Sequence, residues 1–110
     1  MIRETIAEIE ARIQKADSVP GENKAELLQL LATLKSEIAE LSRTHTEQAE
    51  SIAGFTQISA HEVTRDEKDP RLVQLSLEGL SSSVVGFEKS HPKLVDIVNR
   101  ICVTLSNIGI

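Results

Sequence analysis

Isoleucines open the chain at every third or fourth place. Ile2, Ile6, Ile9 and Ile13 fall on one stripe, and Arg3, Glu4, Glu8, Glu10 and Arg12 fall elsewhere around the same wheel. That period predicts a first amphipathic helix over about residues 2–16. The segment DSVPG ends it, because Pro20 lacks a backbone donor and Gly21 tolerates turn geometry.

A second apolar series begins at Leu27 and runs through Leu31, Leu34, Ile38 and Leu41 with alternating steps of four and three. Asn23 followed by Glu26 has the spacing of a capping box. The same register crosses His45, Gln48, Ile52 and Phe55. A sustained seven-residue repeat predicts one long helix over 23–63, coiled-coil-like in keeping one face toward a partner. A kink or short break near 42–46 is the alternative. Ser42, Thr44 and Thr46 compete with helix hydrogen bonds there, and Gly54 costs about 1 kcal/mol relative to alanine.

Asp69 before Pro70 reads as a cap followed by a first-turn proline. Val73, Leu77, Leu80, Val84 and Phe87 then repeat at helical spacing, with Leu72 adding width, and predict a third helix over 70–87. Ser90 or His91 caps a fourth, over 91–108, with Pro92 in its first turn. Its residues Leu94, Val95, Ile97, Val98, Ile101, Cys102, Val103, Leu105 and Ile108 cover more than half the circumference. Such a helix is buried on more than one side. Asn107 and Gly109 supply a stop, and Ile110 is placed to fold back as the apolar residue accompanying a left-handed cap.

The pattern therefore gives one all-α domain over 1–110, four amphipathic helices in a hairpin or bundle arrangement. Its two phenylalanines and absence of Trp and Tyr leave the core to Ile, Leu, Val and Ala. A net charge of −5, without basic face or aromatic platform, argues against nucleic-acid binding. No apolar run reaches the roughly 18 residues of a membrane span, so no membrane insertion is expected. Cys102 is the single cysteine, which fits a reducing compartment, and the cytoplasm follows by elimination.

The segment FEKSHPKLVDIVNRICVTLSNIGI also resembles the C-terminal signature of a small bacterial family, number 4404 among the domains of unknown function. The signature comprises a Phe-Glu, a Ser/Glu-His-Pro, an apolar helix and a terminal Met/Ile-Gly-Ile. Phe87, Glu88, His91, Pro92, Leu94, Leu105, Gly109 and Ile110 stand at its places. The resemblance implies a helical bacterial protein and no particular activity.

Candidate chemistry is sparse. Glu88 and His91 have the Glu-x-x-His spacing of a di-iron ligand pair. The chain holds no second copy, and Ser90 and Pro92 put a helix boundary inside the motif, so capping and packing is the preferred reading. His45 and Gln48 sit in the apolar register and read as a polar layer that fixes helix register. His61, beside Glu62, reads as solvated. Cys102 reads as a small buried hydrophobe with no nearby histidine in sequence to activate it. No catalytic, cofactor-binding or metal residue is assigned.

A helix over 23–63 would be on the order of 60 Å long at 1.5 Å per residue, more than a compact chain of this size can cover. That length argues for a homodimer with the fourth helix near its two-fold axis. The function expected is a non-enzymatic, oligomeric interaction or structural module, with a further protein partner possible. The alternative is a metal- or small-ligand-binding helical-bundle enzyme using Glu88, His91 and His45.

Overall fold

The computed structural model describes residues 2–109. Five helices follow one another: α1 (Ile2–Lys15), α2 (Gly21–Leu41), α3 (Thr46–Thr64), α4 (Pro70–Ser82) and α5 (Pro92–Gly109). The all-α class stands, and the four-helix count does not. The predicted helix over 23–63 is two helices, α2 and α3, separated by a turn.

The turn has a local cause. Beyond Ile38 the backbone tightens: Arg43 N–H donates to Glu40 O at 3.2 Å and Thr44 N–H to Leu41 O at 3.1 Å, one residue short of the α-helical pairing. The hydroxyls join in. Ser42 Oγ donates to Ala39 O at 2.8 Å, and Thr46 Oγ1 to Ser42 O at 3.0 Å. His45 then leaves helical space altogether, at φ −134° and ψ 64°, and becomes the N-cap residue of α3.

Past the turn the predicted register fails as well. Ile52 is buried, but Gln48 is exposed and Phe55 lies near the surface. The core face of α3 is Ala49, Ile52, Ala53, Thr56, Ser59, Ala60 and Val63. His45 and Gln48 accordingly form no polar layer inside a bundle.

Other boundaries shift for identifiable reasons. Asn23 makes no cap: α2 begins two residues earlier, with Pro20 as N-cap and Lys24 N–H donating to Pro20 O at 2.8 Å. Asp69 does cap α4, its Oδ1 accepting from Arg71 N–H at 3.0 Å, with Pro70 at the first helical position. Yet α4 ends at Ser82 rather than Phe87. Ser83 Oγ donates back to Leu80 O at 2.6 Å, and Gly86 takes φ 101°, a left-handed conformation that suits glycine.

α5 runs one residue past its predicted end, and Gly109 is helical rather than a left-handed stop. Its reason is proximity: a Cβ there would lie 3.1 Å from Val73 Cγ1 and 3.2 Å from Val63 Cγ2. The predicted packing of Ile110 falls outside the described residues. Near the same end, Lys68 Nζ reaches Ile108 O at 3.4 Å, a cation at a helix C-terminus.

The helices close into a ring. α1 packs on α2 and α3, α2 on α5, α5 on α4, and α4 on α3, while α3 also touches α5 and α2 across the middle. One buried cluster results, with Ile6, Ile13, Leu27, Leu31, Leu34, Ile38, Ile52, Leu80, Leu94 and Ile101 among its members. α5 meets three neighbours within its own chain, which accounts for most of its wide apolar surface; Val103 remains 60% exposed. Lys35 Nζ to Glu10 Oε1 at 2.7 Å ties α2 to α1 at the surface.

The Cα radius of gyration is 12.8 Å and the longest dimension 37 Å. Each helix is short enough to be covered by its own chain, so the helix-length argument for a dimer falls with the long helix.

The Asp69 cap yields a direct expectation. Asp69→Ala should lower unfolding stability by about 1 kcal/mol, and Asp69→Asn should retain most of it. Urea denaturation of the two variants measures this, and equal midpoints for wild type and Asp69→Ala would contradict the cap.

Candidate functional site

Two features of the surface could carry function. The first is built where the α2–α3 turn meets the α4–α5 turn. The hydrogen bonds of the first turn place His45 at the start of α3. In the second, the Glu88 carboxylate accepts from Gly86 N–H at 2.9 and 3.2 Å, and His91 N–H donates to Phe87 O at 2.8 Å. That winding puts Phe87 and His91 on one side, against His45.

Three rings then meet edge to face. Ring centres are 5.5 Å apart for His45 and Phe87, 5.4 Å for Phe87 and His91, and 6.0 Å for the two imidazoles, with interplanar angles of 81–86°. All three residues are half-buried. Each imidazole is held by its neighbour's hydroxyl: Thr44 Oγ1 lies 2.7 Å from His45 Nδ1, and Ser90 Oγ lies 2.9 Å from His91 Nδ1.

The structure thus brings His45 and His91 together and leaves Glu88 outside. The Glu88 carboxylate is exposed and committed to the Gly86 amide, so the Glu-x-x-His spacing does not form a ligand pair. Neither Ser90 nor His91 makes a side-chain cap to α5, though the His91 carbonyl accepts from Val95 N–H at 3.2 Å. Among the described residues no group of three or more His, Cys, Asp or Glu is arranged to hold a metal ion. His61 is exposed, with Nε2 3.9 Å from Glu62 Oε2.

Cys102 is half-buried beside α4, its Sγ 3.9 Å from Leu77 O, in an open groove shared with Gln74, Glu78 and Ser106. Burial disfavours the thiolate and pushes the thiol up to about 11.

The second feature has no counterpart in the heptad pattern. Phe55 and Ile58 of α3, and Leu72 and Leu75 of α4, are 37, 49, 40 and 48% exposed. The two helices pack on each other; Phe55 and Ile58 are three residues apart on α3, and Leu72 and Leu75 three apart on α4, so each pair shares one face of its helix, with the Phe55 ring at the α3–α4 seam against Gly79. Gly79 makes the seam possible, since a Cβ on it would collide with the Phe55 ring lying across α4. The signal in the sequence was that Ile58 and Leu75 fall outside both heptad series.

The family model for the domain of unknown function DUF4404 matches residues 27–110, well over half of the chain. No curated protein and no solved structure matches it. The chain belongs to the DUF4404 family.

Burial of Cys102 fixes a pH dependence. Its raised value means that the folded chain holds the thiol proton more tightly than the unfolded chain does. The resulting stabilisation is complete below pH 9.0, the ordinary value, and is lost as pH rises toward 11. At pH 8, labelling by a disulfide reagent should run about 100-fold slower in the native protein than in urea. Equal rates would show the thiol to be unburied.

Proposed function

We propose that this protein is a non-enzymatic interaction module of the bacterial cytoplasm that pairs with a second copy of itself through the α3–α4 seam. The supporting observation is the cluster of Phe55, Ile58, Leu72 and Leu75. Four large apolar side chains, each more than a third exposed, form two i,i+3 pairs on two helices that pack together. Scattered apolar residues are ordinary on a protein surface, whereas a contiguous patch marks an interaction site.

The charges beside the seam favour a second copy as the occupant. Arg71 and Glu78 lie on the exposed side of α4, either side of Leu75, and neither makes an ion pair among the described residues. An antiparallel copy of α4 crossing at Leu75 sets Arg71 of each chain against Glu78 of the other. A two-fold contact needs that self-complementarity. Rim pairs of this kind contribute little energy, about 0–1 kcal/mol each, so the leucines and phenylalanine supply the affinity and the charges the direction.

Light scattering across a concentration series tests the reading. The wild type should approach twice the 12.1 kDa chain mass, and Leu75→Glu should remain at one chain mass while still unfolding cooperatively, without the concentration-dependent melting temperature of a dimer. Arg71→Glu should weaken pairing, and adding Glu78→Arg to it should restore pairing. A wild type that stays at one chain mass at high micromolar concentration, or a Leu75→Glu variant that still pairs, would overturn it.

A further inference from the structure

We propose that His45 and His91 form a two-histidine site for a borderline divalent transition-metal ion, such as Zn²⁺ or Cu²⁺, bound through both Nε2 atoms with water completing its shell. The inference is independent of the α3–α4 seam and rests on the meeting of the α2–α3 and α4–α5 turns.

The spacing of the rings fits first. A metal–nitrogen bond of about 2.0–2.1 Å puts the ion roughly 3.2 Å from an imidazole centre. Two rings on one ion then have centres roughly 5–6.4 Å apart, from a tetrahedral to a linear arrangement. The observed separation is 6.0 Å.

The hydrogen bonds fit next. Thr44 Oγ1 directs its proton to Leu41 O, at 3.4 Å, and so accepts from Nδ1–H of His45 at 2.7 Å. With the proton on Nδ1, the lone pair of the neutral ring is on Nε2. Ser90 Oγ lies 2.9 Å from Nδ1 of His91, and when it accepts from Nδ1–H the lone pair of that ring too is on Nε2. A ligating histidine whose other ring nitrogen is held by a polar neighbour is the usual outer-shell arrangement, and at His45 the hydroxyl committed to Leu41 O favours the tautomer with a free Nε2. Phe87 walls the pair on one side through both edge contacts, and the half-burial of the rings leaves another side open to solvent.

Chemistry selects the ion. Imidazole nitrogens suit Zn, Cu and Ni, whereas Mg and Ca require oxygen ligands. The positive ends of α3 and α5 lie beside the two histidines and oppose a dication. With only two protein ligands as well, binding is weak, and copper should bind more tightly than nickel or zinc.

Calorimetric titration of the full chain with Zn²⁺ in a non-coordinating buffer should show one saturable site. His45→Ala and His91→Ala should each weaken it about tenfold or more, and His61→Ala should leave it unchanged. Because His45 lies in a structured turn, Thr44→Val supplies a second variant: it keeps both ligands, removes one outer-shell hydroxyl, and should also weaken binding about tenfold. Electron paramagnetic resonance of the Cu²⁺ form should show hyperfine coupling from two nitrogens. A wild-type titration indistinguishable from buffer, a His61→Ala loss equal to that of His45→Ala, or coupling from a single nitrogen would overturn the site.

Discussion

Between Leu41 and Thr46 the amides of Arg43 and Thr44 take tighter i−3 hydrogen bonds while His45 N–H still reaches Leu41 O, and hydroxyls from Ser42, Thr44 and Thr46 bond nearby carbonyls. Helix propensity alone would not force this turn, because poor helix formers cost at most about 0.7 kcal/mol each relative to alanine. Burial outweighs propensity. Turning back lets α3 place Ile52 and Val63 in the core, where a fully buried aliphatic side chain contributes about 1.5–3 kcal/mol. Small residues on the same face, Ala49, Ala53 and Ala60, let α3 lie close to α1, α4 and α5. The closed ring of helices, the exposure of Phe55 and the meeting of His45 with His91 all follow from that reversal.

Parts of this were legible in the amino-acid pattern. The isoleucine stripe of α1 is large, aliphatic and evenly spaced, and Ile6, Ile9 and Ile13 are buried as it implies. Asp69-Pro70 carries its own local mechanism and caps α4. The breadth of apolar surface on α5 marked it as a helix with several neighbours, although those neighbours belong to its own chain. The C-terminal signature identified the family correctly.

What the pattern concealed has physical reasons too. Ile52 lies on the core side under either register, so the heptad series runs on across a turn that interrupts the helix. The true face of α3 depends on Ala49, Thr56, Ser59 and Ala60, which a search for large apolar residues passes over. Gly109 is explained by Val63 and Val73, far away in sequence. His45 and His91 come from different turns, and no spacing rule pairs them. The same rotation of α3 that hides its small residues turns Phe55 and Ile58 outward. The proposed interaction surface is therefore the other side of the packing that made the register hard to read.

The reversal itself is the most direct thing to measure. Spin labels at Glu22→Cys and His61→Cys, with Cys102→Ser to remove the native thiol and unlabelled chain in excess to suppress signals between copies, report the distance from the start of α2 to the end of α3. Thr64 at the end of α3 shares a groove with Lys15 and Ala16 just before α2, so a turned chain brings the labels together. Pulsed dipolar spectroscopy should give a single distribution well inside the 37 Å length of the molecule. A distribution centred near ~58 Å, the span of an unbroken helix between those positions at 1.5 Å per residue, would contradict the fold and the surfaces derived from it.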